Sequence, residues 1–115
     1  MIAVELRGLR VFGRHGVHAE ERERGQDFVF DVELDVGSRG VSDEIGDAVD
    51  YVEVARVVRE VSDERVYALL EALASAVADE LERRYAPERL LVRVAKPEVR
   101  PAGLDGTVAV SVTRP

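Results

Sequence analysis

Residues 28–36 constrain the fold of this chain more than any other stretch. Phe28, Phe30, Val32, Leu34 and Val36 share one parity, and Asp31, Glu33 and Asp35 share the other. Successive side chains of a strand point to opposite faces, so this period of two predicts a strand with one apolar and one acidic face. Such a strand belongs in an antiparallel sheet that is packed on one side and wet or differently packed on the other.

The remaining elements follow from that strand. The segment from Ile2 to Phe12 alternates at Ile2, Val4 and Leu6 and then slips register at Gly8, which predicts a β-bulge. Gly13, Gly16 and Gly25 mark a long polar connection, so the first two strands are expected to form a hairpin with an unusually long, charged loop. Long ordered loops are often functional. Past Gly46 the period changes. Asp50-Tyr-Val-Glu53 reads as a capping box, with Asp50 accepting from first-turn amides and Glu53 reaching back. Val54, Val57, Val58 and Val61 follow at helical spacing. Valine is a weak helix former, so packing must hold this helix. A second helix is predicted from about Val66 to Arg84, with Leu70, Leu73, Val77 and Leu81 on one stripe. Two short strands, about 90–95 and 107–113, close the chain. The order ββααββ predicts an α+β fold: one four-stranded antiparallel sheet with both helices on one face. The other face is expected to be half-apolar, which points to assembly. Residues 1–115 fit one domain.

Composition narrows the function. A net charge of −7 and a pI near 4.9 argue against nucleic acid, which needs an excess of Lys and Arg on one face. There is no cysteine, hence no disulfide and no thiolate ligand or nucleophile. The apolar runs are too short to span a bilayer and the N-terminus lacks a signal-peptide layout, so no membrane partner and a cytoplasmic location are expected. Neither a Gly-rich phosphate loop nor a Gly-x-Ser-x-Gly elbow is present. The chemistry must come from single residues.

Lys96 is the only lysine among fifteen arginines. Arginine is a permanent charge, whereas lysine is the cation that burial can bring toward a working pKa. Glu71, in Leu69-Leu-Glu-Ala-Leu-Ala, stands among small and apolar residues. It reads either as an ordinary exposed glutamate or as a carboxylate that receives two parallel N–H donors from a planar ligand. Tyr51 opens the first helix after Val49-Asp50, either as a staple or as a catalytic candidate with a ring to stack on a heterocycle and a phenol to move a proton. Glu21 lies in the charged loop, where a solvated face is the plain alternative. His15 and His18 lack the third ligand that catalytic zinc takes, so no metal is expected, and His15 reads as a loop-shaping residue.

Five strings place these residues in register with a known family: Leu-Arg-Val-Phe-Gly-Arg-His-Gly-Val at 9–17, Glu-Arg-Glu-Arg-Gly-Gln at 21–26, Asp-Ala-Val-Asp-Tyr at 47–51, Leu-Leu-Glu-Ala-Leu-Ala at 69–74 and Val-Ala-Lys-Pro at 94–97. In this order and spacing the chain resembles the dihydroneopterin aldolases of folate biosynthesis over essentially its whole length. The resemblance implies the tunnelling fold, with subunit sheets joined into a barrel, two rings stacked as a homo-octamer, and active sites between neighbouring subunits. It implies that Glu71 anchors a pterin beside the Leu70 backbone, with Val49 also in the binding set. Tyr51 is contributed by the neighbouring subunit, Glu21 approaches the substrate side chain, and Lys96 is the acid/base residue. The stretch Pro97-Glu-Val-Arg-Pro101 departs from the commoner proline-rich version, and His18 is assigned nothing.

The implied reaction cleaves 7,8-dihydroneopterin between C1′ and C2′ to 6-hydroxymethyl-7,8-dihydropterin and glycolaldehyde, with C2′ epimerisation as a side activity when glycolaldehyde turns over and re-adds before escaping. The N5=C6 imine of the substrate accepts the electrons, so neither a Schiff base nor a metal or other cofactor is required. Two rivals stand beside this reading. One is a dihydroneopterin triphosphate epimerase using Arg14, Arg22 and Arg100. The other is a non-catalytic pterin- or purine-binding barrel protein.

Overall fold

A computed structural model describes residues 1–115. Four strands run β1 (Ala3–Gly13), β2 (Gln26–Asp35), β3 (Arg89–Lys96) and β4 (Val108–Arg114), and they pair antiparallel in the order β1-β2-β3-β4. Helix α1 (Ala19–Arg24) lies between β1 and β2; α2 (Tyr51–Glu64) and α3 (Leu70–Tyr85) separate β2 from β3. The predicted ββααββ order is therefore present, with one short helix added.

Parity explains the packing. Phe28, Phe30, Val32 and Leu34 are fully buried, as are Val92 and Val94, which lie opposite Val32 and Phe30 on β3. Val54, Val57 and Val58 of α2 and Leu73, Val77 and Leu81 of α3 close over the same sheet face. The bulge falls at Gly8, where Leu6 pairs with Val32 but Leu9 with Phe30. The extra residue keeps Val4, Leu6, Leu9 and Val11 all on the helix-covered side. Gly8 adopts φ 77°, a conformation that glycine reaches without steric cost. Its freed amide donates to Asp31 Oδ1 at 2.8 Å.

Four expectations need correction. The charged connection between β1 and β2 is not a plain loop. It contains α1, none of whose residues is buried, so no apolar period announced it. Asp50 does cap α2, accepting from the Val52 amide at 3.0 Å. Glu53 does not reach back; it accepts from the Tyr85 hydroxyl at 2.7 Å, tying the start of α2 to the end of α3. Burial, together with that bond, pushes the Tyr85 phenol well above its usual range. The second helix starts at Leu70 rather than Val66, because Tyr67 spends both its backbone groups on the β1–α1 connection. Finally, the outer sheet face is more ionic than half-apolar, with Arg7 against Glu5 and Glu33, Arg10 against Asp27, and Arg93 against Asp31.

Candidate active site

Lys96 ends β3 on the parity of Leu90, Val92 and Val94, so the strand aims its side chain at the helix-covered face. A cation there is costly unless paired. Helix α1 supplies the partner: Lys96 Nζ donates to Glu21 Oε2 at 2.8 Å, with side chains 13% and 18% exposed. Glu21 also accepts from the His18 amide at 3.4 Å and, more loosely, from Gln26 Nε2 at 3.5 Å. The hydrogen bond from Lys96 holds the Glu21 carboxyl below its usual range, against the opposing effect of burial. Gly16 backs the carboxylate so closely that a Cβ there would lie 2.7 Å from Glu21 Cβ. Arg22 clasps the same turn, donating to the carbonyls of Gly16 and Val17 at 2.9 and 2.7 Å.

The β1–α1 connection is sewn to the start of α3. The Gly16 amide donates to the Tyr67 carbonyl at 2.9 Å, and the Tyr67 amide donates to His15 Nδ1 at 3.0 Å. Three residues on, Leu70 is buried in the first turn of α3, and Glu71 is exposed beside it without an ion-pair partner. Leu69 precedes them in an extended conformation and gives α3 no side-chain cap. A free carboxylate next to uncapped amides can meet a flat ligand that offers adjacent N–H donors and a carbonyl.

Tyr51 and Val49 lie elsewhere. Tyr51 is 66% exposed at the start of α2, and Val49 is buried just before it. The far end of α2 carries Ser62, which bonds His15 Nε2 at 2.9 Å beside the Lys96 end of the sheet. With α2 rising about 1.5 Å per residue, Tyr51 stands roughly 16 Å along it from Ser62. One protomer thus brings Lys96, Glu21, Leu70 and Glu71 to one end and leaves Tyr51 and Val49 at the other. His15 is a loop-shaping residue as expected, with both ring nitrogens engaged.

The dihydroneopterin aldolase profile matches residues 4–113. The chain belongs to the dihydroneopterin aldolase family. A dihydroneopterin aldolase of Methylorubrum extorquens is 38% identical over 110 residues, covering 92% of this chain and 84% of that one. The E. coli dihydroneopterin aldolase in complex with neopterin superposes with a TM-score of 0.89 at 27% identity, over 100% of both chains. The Burkholderia thailendensis dihydroneopterin aldolase bound to guanine gives 0.83 at 26%, over 98% of this chain and 89% of that one.

Against this family background, sequence reasoning missed Gln26 and the His15–Ser62–Tyr67 cluster. Gln26 is buried beside Glu21, and its Oε1 has no partner within the chain. Its place at the start of the clearest strand, on the inward parity, was the available signal. The histidine cluster joins residues 47 and 52 positions apart, a separation that no local spacing reveals.

Proposed function

We propose that this chain cleaves 7,8-dihydroneopterin between C1′ and C2′ of its side chain, releasing glycolaldehyde and 6-hydroxymethyl-7,8-dihydropterin. The observation that carries the reading is the enclosed Lys96–Glu21 pair in a member of this family. It is an acid/base couple standing near a free carboxylate at a helix start.

The residues divide the work as follows. Glu71 receives the 2-amino and N3–H donors of the pterin, with the Leu70 backbone beside it. The neopterin and guanine bound by the two solved relatives share that donor edge, which supports this role. A ring held there places its side chain toward Glu21 and Lys96. Once the Lys96 ammonium has passed a proton to solvent, its neutral amine takes the C2′ hydroxyl proton, directly or through water, and the C1′–C2′ bond breaks as C2′ becomes the aldehyde carbon of glycolaldehyde. The electron pair moves through C1′ and C6 onto N5, leaving an enamine. Tyr51 or Lys96 then returns a proton to C1′, while Glu21 orients the side-chain hydroxyls and the amine. A positioned acid/base group contributes about 10²–10⁴-fold, and fixing the ring supplies the geometry that transfer needs.

The site as drawn needs Tyr51 and Val49 from a second copy, since one protomer holds them at its far end. Exposed apolar residues flank both ends: Phe12, Val17, Val66 and Leu69 near Lys96, and Val41, Ile45 and Val52 near Tyr51. A head-to-tail contact between unlike ends covers both sets and generates a closed ring when the rotation closes. We take the assembly to be a barrel-forming tetramer stacked as an octamer.

Product analysis with dihydroneopterin and with its triphosphate tests the function. Stoichiometric glycolaldehyde from the free pterin is expected. Its absence, with only C2′-epimerised product formed, would move the chain to the epimerase reading.

A further inference from the structure

His15 is buried, polar and unused by the reaction as proposed. Its ring packs edge-on to Phe28 with centroids 5.1 Å apart and lies tilted against Tyr67 at 5.5 Å. Gly13 leaves room for it, because a Cβ at that position would sit 2.9 Å from His15 Cδ2. Nδ1 accepts the Tyr67 amide, so in the neutral ring the proton lies on Nε2, which donates to Ser62 Oγ. Both nitrogens of one small ring therefore bind two different elements.

We propose that His15 is a positioning residue for this site: its neutral imidazole pins the segment that carries Glu21 to the segment that leads into Leu70 and Glu71. The aldolase reading is needed for what the site does, but not for how the ring is bonded. His15 and Gly16 make consecutive rungs with Tyr67, through His15 Nδ1 to the Tyr67 amide and the Gly16 amide to the Tyr67 carbonyl. Gly16 is also the residue that Glu21 leans on. The path from Glu21 to Glu71 thus runs through Gly16, Tyr67 and one short extended segment. The bond to Ser62 fixes the ring against α2 and prevents it from rotating out of line. A ligand held by Glu71 at its ring and worked on by Lys96 and Glu21 at its side chain depends on that spacing.

Only the neutral ring can serve. A second proton on Nδ1 would point one N–H at another and break the Tyr67 rung. Burial first, and then the Lys96 charge on β3, hold His15 below the usual 6.5, while Asp63 on α2 acts in the opposite sense. Arg14 and Arg65 line the same hollow, with Arg65 lying over the Tyr67 ring at 4.5 Å. Phe28 on β2 and Tyr67 bring no charge. A group whose pKa is depressed by folding contributes fully above its unfolded value and loses that contribution as pH falls through the folded one. The pin is therefore intact above pH 6.5 and is lost on acidification below it. The Glu21 carboxyl is itself held beneath its usual range by the Lys96 hydrogen bond.

The test uses the full chain with three substitutions: His15→Phe, His15→Asn and Ser62→Ala. His15→Phe keeps a ring but no hydrogen bond; His15→Asn restores an acceptor near the Nδ1 position and does not titrate. We expect kcat on dihydroneopterin to fall roughly tenfold to a hundredfold in His15→Phe, with neopterin affinity changed less than threefold and thermal unfolding still cooperative. His15→Asn should recover most of kcat and lose the acid limb expected of the native chain below pH 6.5. Ser62→Ala should show an intermediate loss of kcat. Native kcat in a folded His15→Phe, or an unchanged acid limb in His15→Asn, would overturn the proposal. If native protein releases no glycolaldehyde, the aldolase reading fails on its own. The pin is then read from ¹⁵N spectra of the His15 ring and from amide exchange at Gly16 and Tyr67, whose protection relative to the intrinsic rate must fall together as the ring protonates. Exchange that is indifferent to that protonation would sink the proposal in either case.

Discussion

A lysine on the apolar parity of a strand has to be partnered, and the Lys96–Glu21 contact at 2.8 Å is how this chain does it. Arginine at position 96 keeps the charge and can still bond Glu21, but it does not give up a proton at neutral pH. Lys96→Arg should therefore fold and bind neopterin like the native chain while losing most of kcat, as steady-state kinetics beside a binding titration would show. Full activity in that variant would take Lys96 out of the mechanism. Glu71→Ala should do the reverse, weakening pterin binding by more than tenfold, because two N–H donors of the ligand lose their acceptor. Both residues stood out in the sequence as chemical exceptions: a lone lysine, and a lone glutamate in an apolar stretch. Their surroundings did not. Glu21 lies 75 positions from Lys96, and a bond across that distance leaves no mark on local spacing.

Elements were legible where one face is apolar. β2, α2 and α3 each bury a stripe at strand or helix period, and the four-stranded order follows from them. α1 has no buried apolar stripe and showed only as a mixed charge run, although it is the element that brings Glu21 to Lys96. The early start predicted for α3 has the same origin. Apolar spacing continues through Val66 and Tyr67, but the Tyr67 backbone is committed to His15 and Gly16 instead of to a helical turn. The Glu53 capping box fails because Tyr85, from the other end of the helical pair, offers it a hydroxyl. The turn before α1 gives a sharp test. Gly16→Ala places a methyl 2.7 Å from Glu21 Cβ, so the carboxylate must move away from Lys96. We expect kcat to fall by at least tenfold while far-ultraviolet circular dichroism is unchanged. A fully active Gly16→Ala protein would mean that the Glu21 position is not critical.

The whole molecule carries its two sets of candidate residues at opposite ends, a layout that spacing along the chain cannot express because it depends on how the sheet and helices run in space. If a site takes Lys96 from one copy and Tyr51 from the next, mixing two inactive variants restores function. Tyr51→Phe and Lys96→Arg chains, unfolded together and refolded as mixed rings, should regain about a quarter of native sites, since random neighbours pair an intact lysine with an intact tyrosine that often. No regained activity would place both residues in one protomer's site. No helix is long and apolar enough to cross a membrane. The same two-ended layout has a genetic consequence. In a ring whose sites are shared in that way, a copy damaged at both ends would spoil one site with each of its two neighbours. Such an allele would act dominantly over a normal one, and a substitution that merely kept the damaged copy out of the ring would be recessive.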